Sequence, residues 1–338
     1  MKSRSYQPAV LLALLLTAAV PGCLEIKVTT TVHSDGSCDR TVSVNPNDQK
    51  LPHSAFPIPS DSSWTTGWKK LKDNDGNLYT ATKRFENGGA LAREYDSTPG
   101  DPRNMRITPR LEKQFRWFFT YFSYKETYHV FNPFTLIPAS QLLSGDEIRR
   151  IAGGEKNDTL KNKLEEWEFR NLFERFHGSL LEGARRLGDP SLTTETVTAR
   201  KEELFQAMVK DTSLAGKFDP TMQMMTRFFR TQSILALRPQ LQSAWDAAEA
   251  MLTTAQSAEA EYSNSVTMPG LILDTNAGEV KGTTVVWKFS AKQFLLCDYV
   301  MWVESREMNL WAIVLTGIAA VILLGTVVVL SMRRQRMP

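Results

Sequence analysis

Cysteine and histidine are scarce in this chain, three and four residues among 338. A zinc site of four cysteines is therefore ruled out, and His33, His53, His129 and His177 are scattered instead of falling at metal-ligand spacings. His129 and His177 read as structural side chains, each with a partner. Also missing are a glycine-rich phosphate loop, a His-Glu-x-x-His pair and a Gly-x-Ser-x-Gly nucleophile turn. Gly153-Gly154-Glu155-Lys156 ends in lysine but lacks P-loop spacing. Asp73-Asn74-Asp75-Gly76-Asn77 begins like a calcium loop, yet Arg84 stands where the twelfth position needs glutamate, so it reads as a turn. Glu165, Glu166, Glu168 and Glu174 lie among Lys161, Lys163, Arg170 and Arg175. That is the pattern of a solvated helix face with i,i+4 ion pairs, and not of paired catalytic carboxylates. With no catalytic motif in place, the expectation is a protein that is not an enzyme and has no cofactor and no metal.

A charge excess is missing as well, once the two ends are set aside. Of 40 Lys and Arg, Lys2 and Arg4 precede an apolar stretch and Arg333, Arg334 and Arg336 close the chain. The 35 that remain face all 37 Asp and Glu, a net charge of −2. The basic balance of the whole chain thus comes from its termini, and nucleic acid is not an expected partner.

What is present starts with those termini. Lys2 and Arg4 followed by the charge-free Ala9 to Val20 have the organisation of an export signal over 1–22, too short for the roughly 20 apolar residues of a membrane span. Val20-Pro21-Gly22-Cys23 resembles a bacterial lipobox, with Pro21 an unusual occupant, and marks Cys23 as the lipidation site and mature N-terminus. At the other end, Trp311 to Leu330 is 20 residues without a charge, long enough to cross the ~30 Å hydrocarbon core. A transmembrane helix is expected over 310–332, with Trp302 and Trp311 as its outer aromatic belt and 333–338 as a basic tail. By the positive-inside rule the tail is cytoplasmic and the ectodomain lies outside, periplasmic or at the cell surface.

Cys38 and Cys297 are the cysteines left for the ectodomain. In an oxidising compartment an even pair suggests a disulfide. Two buried reduced thiols packed as small hydrophobes are the alternative, for instance in a strictly anaerobic bacterium.

Between the ends the periodicity changes twice. Over 24–137 it is β-like, with a hairpin of Ile26–Val32 and Cys38–Val44 about Asp35-Gly36, and a second of Trp64–Leu71 and Asn77–Phe85. Met105–Leu111 is a further strand. Gln114–Val130, dense in aromatics, reads as one long strand covered on both faces in its middle. Over 138–261 the spacing is helical, with helices expected from Asp158, over Thr194–Asp211, from Asp219-Pro220 to Leu237, and from Pro239 to Tyr262. Strand patterns return over 262–304. The β-α-β order predicts one α+β domain: an antiparallel sheet built from N- and C-terminal strands, an inserted helical block, and one C-terminal transmembrane helix. With one cysteine in each terminal β segment, it also places Cys38 close to Cys297.

The lipobox running into the His33-Ser34-Asp35-Gly36-Ser37 hairpin, then Met268-Pro269-Gly270, Thr275-Asn276, Gly282 and Trp287, then a single helix and basic tail, resembles membrane-anchored bacterial lipoproteins. More distantly it is similar to the LppM-like lipoprotein domain of mycobacteria. The resemblance covers 24–45 and 262–338. It implies a β-sheet domain with a curved face able to bind lipid or glycolipid. The leading expectation is a non-enzymatic, membrane-anchored extracytoplasmic lipoprotein of the bacterial cytoplasmic membrane, an envelope structural or interaction component. Its partners would be the membrane, through the acyl anchor and single helix, and lipid or another envelope protein. The alternatives are a lipid- or glycolipid-binding module and an enzyme without short motifs. An apolar cavity lined by Phe115–Tyr124 and the Met-rich helix would favour the lipid module, and a closed core the envelope component.

Overall fold

A computed structural model describes residues 25–335, except 47–49, 52–55, 72–75, 97–104, 212–215, 258–260 and 291. The export signal, Cys23 and residues 336–338 lie outside the described residues.

Alternation builds the first hairpin. In β1 (Glu25–Val32) Ile26, Val28, Thr30 and Val32 share the buried face, and in β2 (Cys38–Val44) Cys38, Arg40, Val42 and Val44 do. The turn between them is held by the Asp35 carboxylate, which accepts from the Ser37 amide and hydroxyl, with Gly36 at φ 92°. One sheet then runs β3 (Thr65–Lys70), β4 (Asn77–Phe85), β2, β1, β7 (Glu261–Thr267), β10 (Thr284–Ser290), β9 (Glu279–Lys281). A second runs β5 (Ile107–Phe115), β6 (Phe119–Tyr128), β11 (Tyr299–Met308), β8 (Leu271–Thr275). Both sheets mix strands from the two ends of the ectodomain, so the α+β expectation holds, with two sheets in place of one. The β1–β7 pair is parallel and the other paired strands are antiparallel.

The inner faces of the two sheets share one core, in which Ile26, Val28 and Val42 meet Phe122, Tyr124, Met301 and Val303. An ion pair crosses it: Arg40 Nη2 lies 2.6 Å from Glu126 Oε1, both side chains fully buried. Glu126 also accepts from Tyr124 Oη at 2.5 Å and from Asn264 Nδ2 at 3.1 Å, so β2, β6 and β7 meet at one carboxylate. Burial pushes that carboxyl up, but the Arg40 charge and these hydrogen bonds outweigh it and hold it below its usual range.

Among the described residues, the α-helices between β6 and β7 are α2 (Gly145–Ala152), α3 (Asp158–Leu187), α4 (Thr194–Ala199), α5 (Lys201–Lys210), α6 (Phe218–Phe229), α7 (Ser233–Ala236) and α8 (Arg238–Ser257). The long α3 is capped by Asn157, whose side chain accepts from the amides of Thr159 and Leu160, and it stops at Gly188 in the left-handed region. Phe173, Phe176 and Leu180 of α3 pack with Leu204, Met222, Met225 and Leu241 in a core of their own. A smaller cluster joins Leu164 and Trp167 of α3 to Phe134 past β6 and to Leu295 of the short α9 (Lys292–Leu295) between β10 and β11.

The structure corrects the sequence reading at several points. The expected helix over Thr194–Asp211 breaks at Arg200, and the next one stops at Arg230, whose φ is 56°. A short α1 (Gly88–Asp96), not expected, lies against β5, with Gly88 so close that a Cβ there would sit 1.9 Å from the Leu111 carbonyl oxygen. Gln114–Val130 is not one strand. It is the end of β5, a turn at Arg116–Phe118, and β6 with Phe122, Tyr124 and Tyr128 buried on one face and the other half-exposed. Cys38 and Cys297 are both free and far apart. Cys38 pairs with Val32 beside the His33–Ser37 turn, which meets the end of β11 through a Ser34 hydroxyl bond to Glu307. Cys297 precedes Tyr299 at the opposite end of β11, roughly 30 Å away along a ten-residue strand. A disulfide needs Cα atoms within about 7 Å, so no bridge joins them.

Candidate functional site

The most exposed apolar surface lies where the β body meets α10 (Leu310–Gln335), whose segment Leu310–Leu330 is long and apolar enough to cross a membrane and is not buried. Asn309 makes the junction. Its amide donates to the Phe118 carbonyl, and its side chain donates to the carbonyls of Arg116 and Trp117 and accepts from the Thr120 hydroxyl at 2.9 Å. Its own carbonyl accepts from Ala312 and Ile313 and so opens the helix. The turn between β5 and β6 is thereby fixed to the first turns of α10. Phe115 stacks on Trp311 with ring centres 6.1 Å apart, and Trp117 Nε1 donates to Thr316 Oγ1 at 2.8 Å. Ala312, in the first turn of α10, is buried. Yet Phe115, Trp117 and Phe118 keep 55%, 47% and 44% of their surface exposed. Trp302 lies seven residues up β11, roughly 23 Å from Asn309 along the strand, so Trp117 and not Trp302 is the neighbour of Trp311.

The opposite end holds a cleft of about 720 Å³ between the helices and the sheet. Glu155, Lys156, Asp158 and Lys161 line one wall, and Glu25, Glu261, Lys288 and Lys292 the other. Four carboxylates against four lysines give no net pull on a ligand of either sign. Glu155 is already held by Arg150, with both oxygens at 2.6 Å, and those hydrogen bonds lower its carboxyl below the usual range.

The other sequence-marked residues have structural surroundings. Burial pushes the Cys38 thiol up to about 11, and burial and then Asp298 raise that of Cys297. His129 sits just past β6 between Thr108 Oγ1 and Asp298, while His177 lies in the helical core near the Val197 carbonyl, its pKa lowered by burial. The acidic face of α3 is not wholly solvated: Glu165 and Glu168 are buried, while Glu166 pairs with Arg170 at 3.0 Å as expected. Phe122 and Tyr124 belong to the core between the sheets, and Met222 and Met225 to the helical core, so they line no common cavity. Glu25 opens β1 beside Glu261 and Ser290, the end of the β body farthest from Asn309. The two expected anchors therefore leave the ectodomain from opposite ends.

No family model and no curated protein matches the chain. Among solved structures it is similar, weakly, to the NMR structure of the folded domain of the Mycobacterium tuberculosis LppM protein. Identity is 8% over 91% of this chain and 96% of that one, with a TM-score of 0.30.

Proposed function

We propose that this chain is a non-enzymatic lipoprotein of the bacterial cytoplasmic membrane, an envelope structural or interaction component with its ectodomain outside and its C-terminus in the cytoplasm. The observation that carries the reading is the unburied apolar helix Leu310–Leu330, which continues directly from β11 through the Asn309 junction. The export signal and the arginines after the helix supply its direction. The closed core around Phe122 and Tyr124 favours this reading over a lipid-carrying cavity.

Lipidation at Cys23 adds a geometric demand. Only Leu24 lies between Cys23 and the start of β1, a reach of ~7 Å. An acyl chain there enters the bilayer only when the β body leans over, so that the Glu25 end also meets the surface. Metabolic labelling with a palmitate analogue should mark the wild type and not Cys23→Ala. Equal labelling of both would remove the acyl anchor from the proposal.

A further inference from the structure

We infer that the turn between β5 and β6, Phe115 to Phe118, is a foot seated in the outer interfacial layer of the bilayer that α10 crosses. The inference rests on the reading of α10 as a membrane span. Its partner is lipid, the acyl chains and headgroups of that one leaflet.

Depth is the first argument. Trp117 is bonded to Thr316, six residues into Leu310–Leu330 and so about 9 Å along the helix from Leu310. If Thr316 stood in water, the uncharged helix left before Arg333 would be Gly317–Met332, roughly 24 Å, short of the ~30 Å core. The span needs the turn that carries Thr316, and the foot goes where Thr316 goes.

Backbone chemistry is the second. A turn in water leaves carbonyls to the solvent, whereas one at the edge of hydrocarbon must satisfy them internally. Here the Arg116 carbonyl accepts from Phe119 and Asn309, that of Trp117 from Asn309, that of Phe118 from the Asn309 amide, and that of Phe119 from Arg116. The Trp117 indole N–H, which would lack a partner in lipid, has Thr316 Oγ1.

Side-chain types are the third. Phe115, Trp117 and Phe118 are the residues for which water is a poor solvent, and tryptophan prefers the interfacial layer. Arg116, its guanidinium 5.3 Å from the Tyr121 ring, and Arg306, 4.9 Å from the Phe119 ring, flank them at headgroup level. Long basic side chains there keep apolar stems low and charges in the headgroups.

The test uses the full chain in proteoliposomes of phosphatidylcholine and phosphatidylglycerol. The photo-reactive residue p-benzoylphenylalanine replaces Phe118, Val321 or Leu235 in separate preparations with matched melting curves. Val321 reports the membrane span, and Leu235 is an exposed leucine of the helical block. Irradiation followed by mass spectrometry should find phospholipid adducts at Phe118 and Val321 and none at Leu235. Adducts at Val321 without any at Phe118 overturn the foot and leave the span standing. Cross-linking of Phe118 to protein in place of lipid overturns it in favour of a protein contact. Loss of lipid adducts at both positions ends the span and the foot together.

Discussion

Arg40 and Glu126 meet at 2.6 Å in the middle of the ectodomain, from opposite sheets and with no solvent contact. Removing one member strands the other charge, whereas removing both leaves only neutral groups, the Tyr124 hydroxyl and the Asn264 amide, without their acceptor. Arg40→Met should therefore cost about 3–5 kcal/mol, and Arg40→Met with Glu126→Leu clearly less. Urea denaturation measures both, and a double variant weaker than the single one would contradict the account.

The same pair sets a pH dependence. Because the Glu126 carboxyl is lowered in the fold, its contribution is present above the unfolded value of 4.5 and is lost as pH falls through the lower folded value. The stability gap between wild type and Arg40→Met should narrow in acid. A gap that stays level or widens there would contradict the lowered carboxyl.

Gly270 and Gly188 both sit at positive φ, 75° and 64°, but in different surroundings. A Cβ at Gly270 would lie 2.1 Å from the Arg306 carbonyl oxygen, backbone that cannot yield, while at Gly188 it meets nothing within 4 Å. Gly188→Ala should cost about 1–2 kcal/mol, the left-handed penalty alone. Gly270→Ala should cost clearly more and loosen the β8–β11 pairing. Equal melting temperatures for the two variants would refute the close approach.

The cysteines offer a chemical check. With Cys38 buried and its thiol pushed up to about 11, little thiolate is available in the native protein at neutral pH. A maleimide should modify Cys38 only after denaturation, and Cys297, half-buried, sooner. A Cys38–Cys297 cross-linked peptide in a non-reduced digest would contradict the separation.

Much of this fold was legible because local patterns carry it. The β1–β2 hairpin follows from alternation around Asp35-Gly36, and the long apolar helix Leu310–Leu330 from an uncharged run. The break at Arg116–Phe118 was not legible, because no glycine or proline marks it. Its partner is Asn309, 193 residues from Arg116. The aromatic foot was hidden for the same reason, its residues being absorbed into an expected strand. The cysteine separation was hidden because periodicity does not give strand direction: β1 lies parallel to β7, and Cys38 belongs to the turn beside the end of β11 that leads into α10, while Cys297 belongs to the far end. Glu165 and Glu168 followed a solvated pattern and were buried by long-range packing of the helical block.

The central claim, a chain held by α10 with its C-terminus inside, is tested most directly by reporters fused after Pro338 in a bacterial host. Alkaline phosphatase, which needs the oxidising periplasm, should be inactive there, and green fluorescent protein should be bright in the membrane fraction. Active phosphatase with a dark fluorescent fusion would contradict the account.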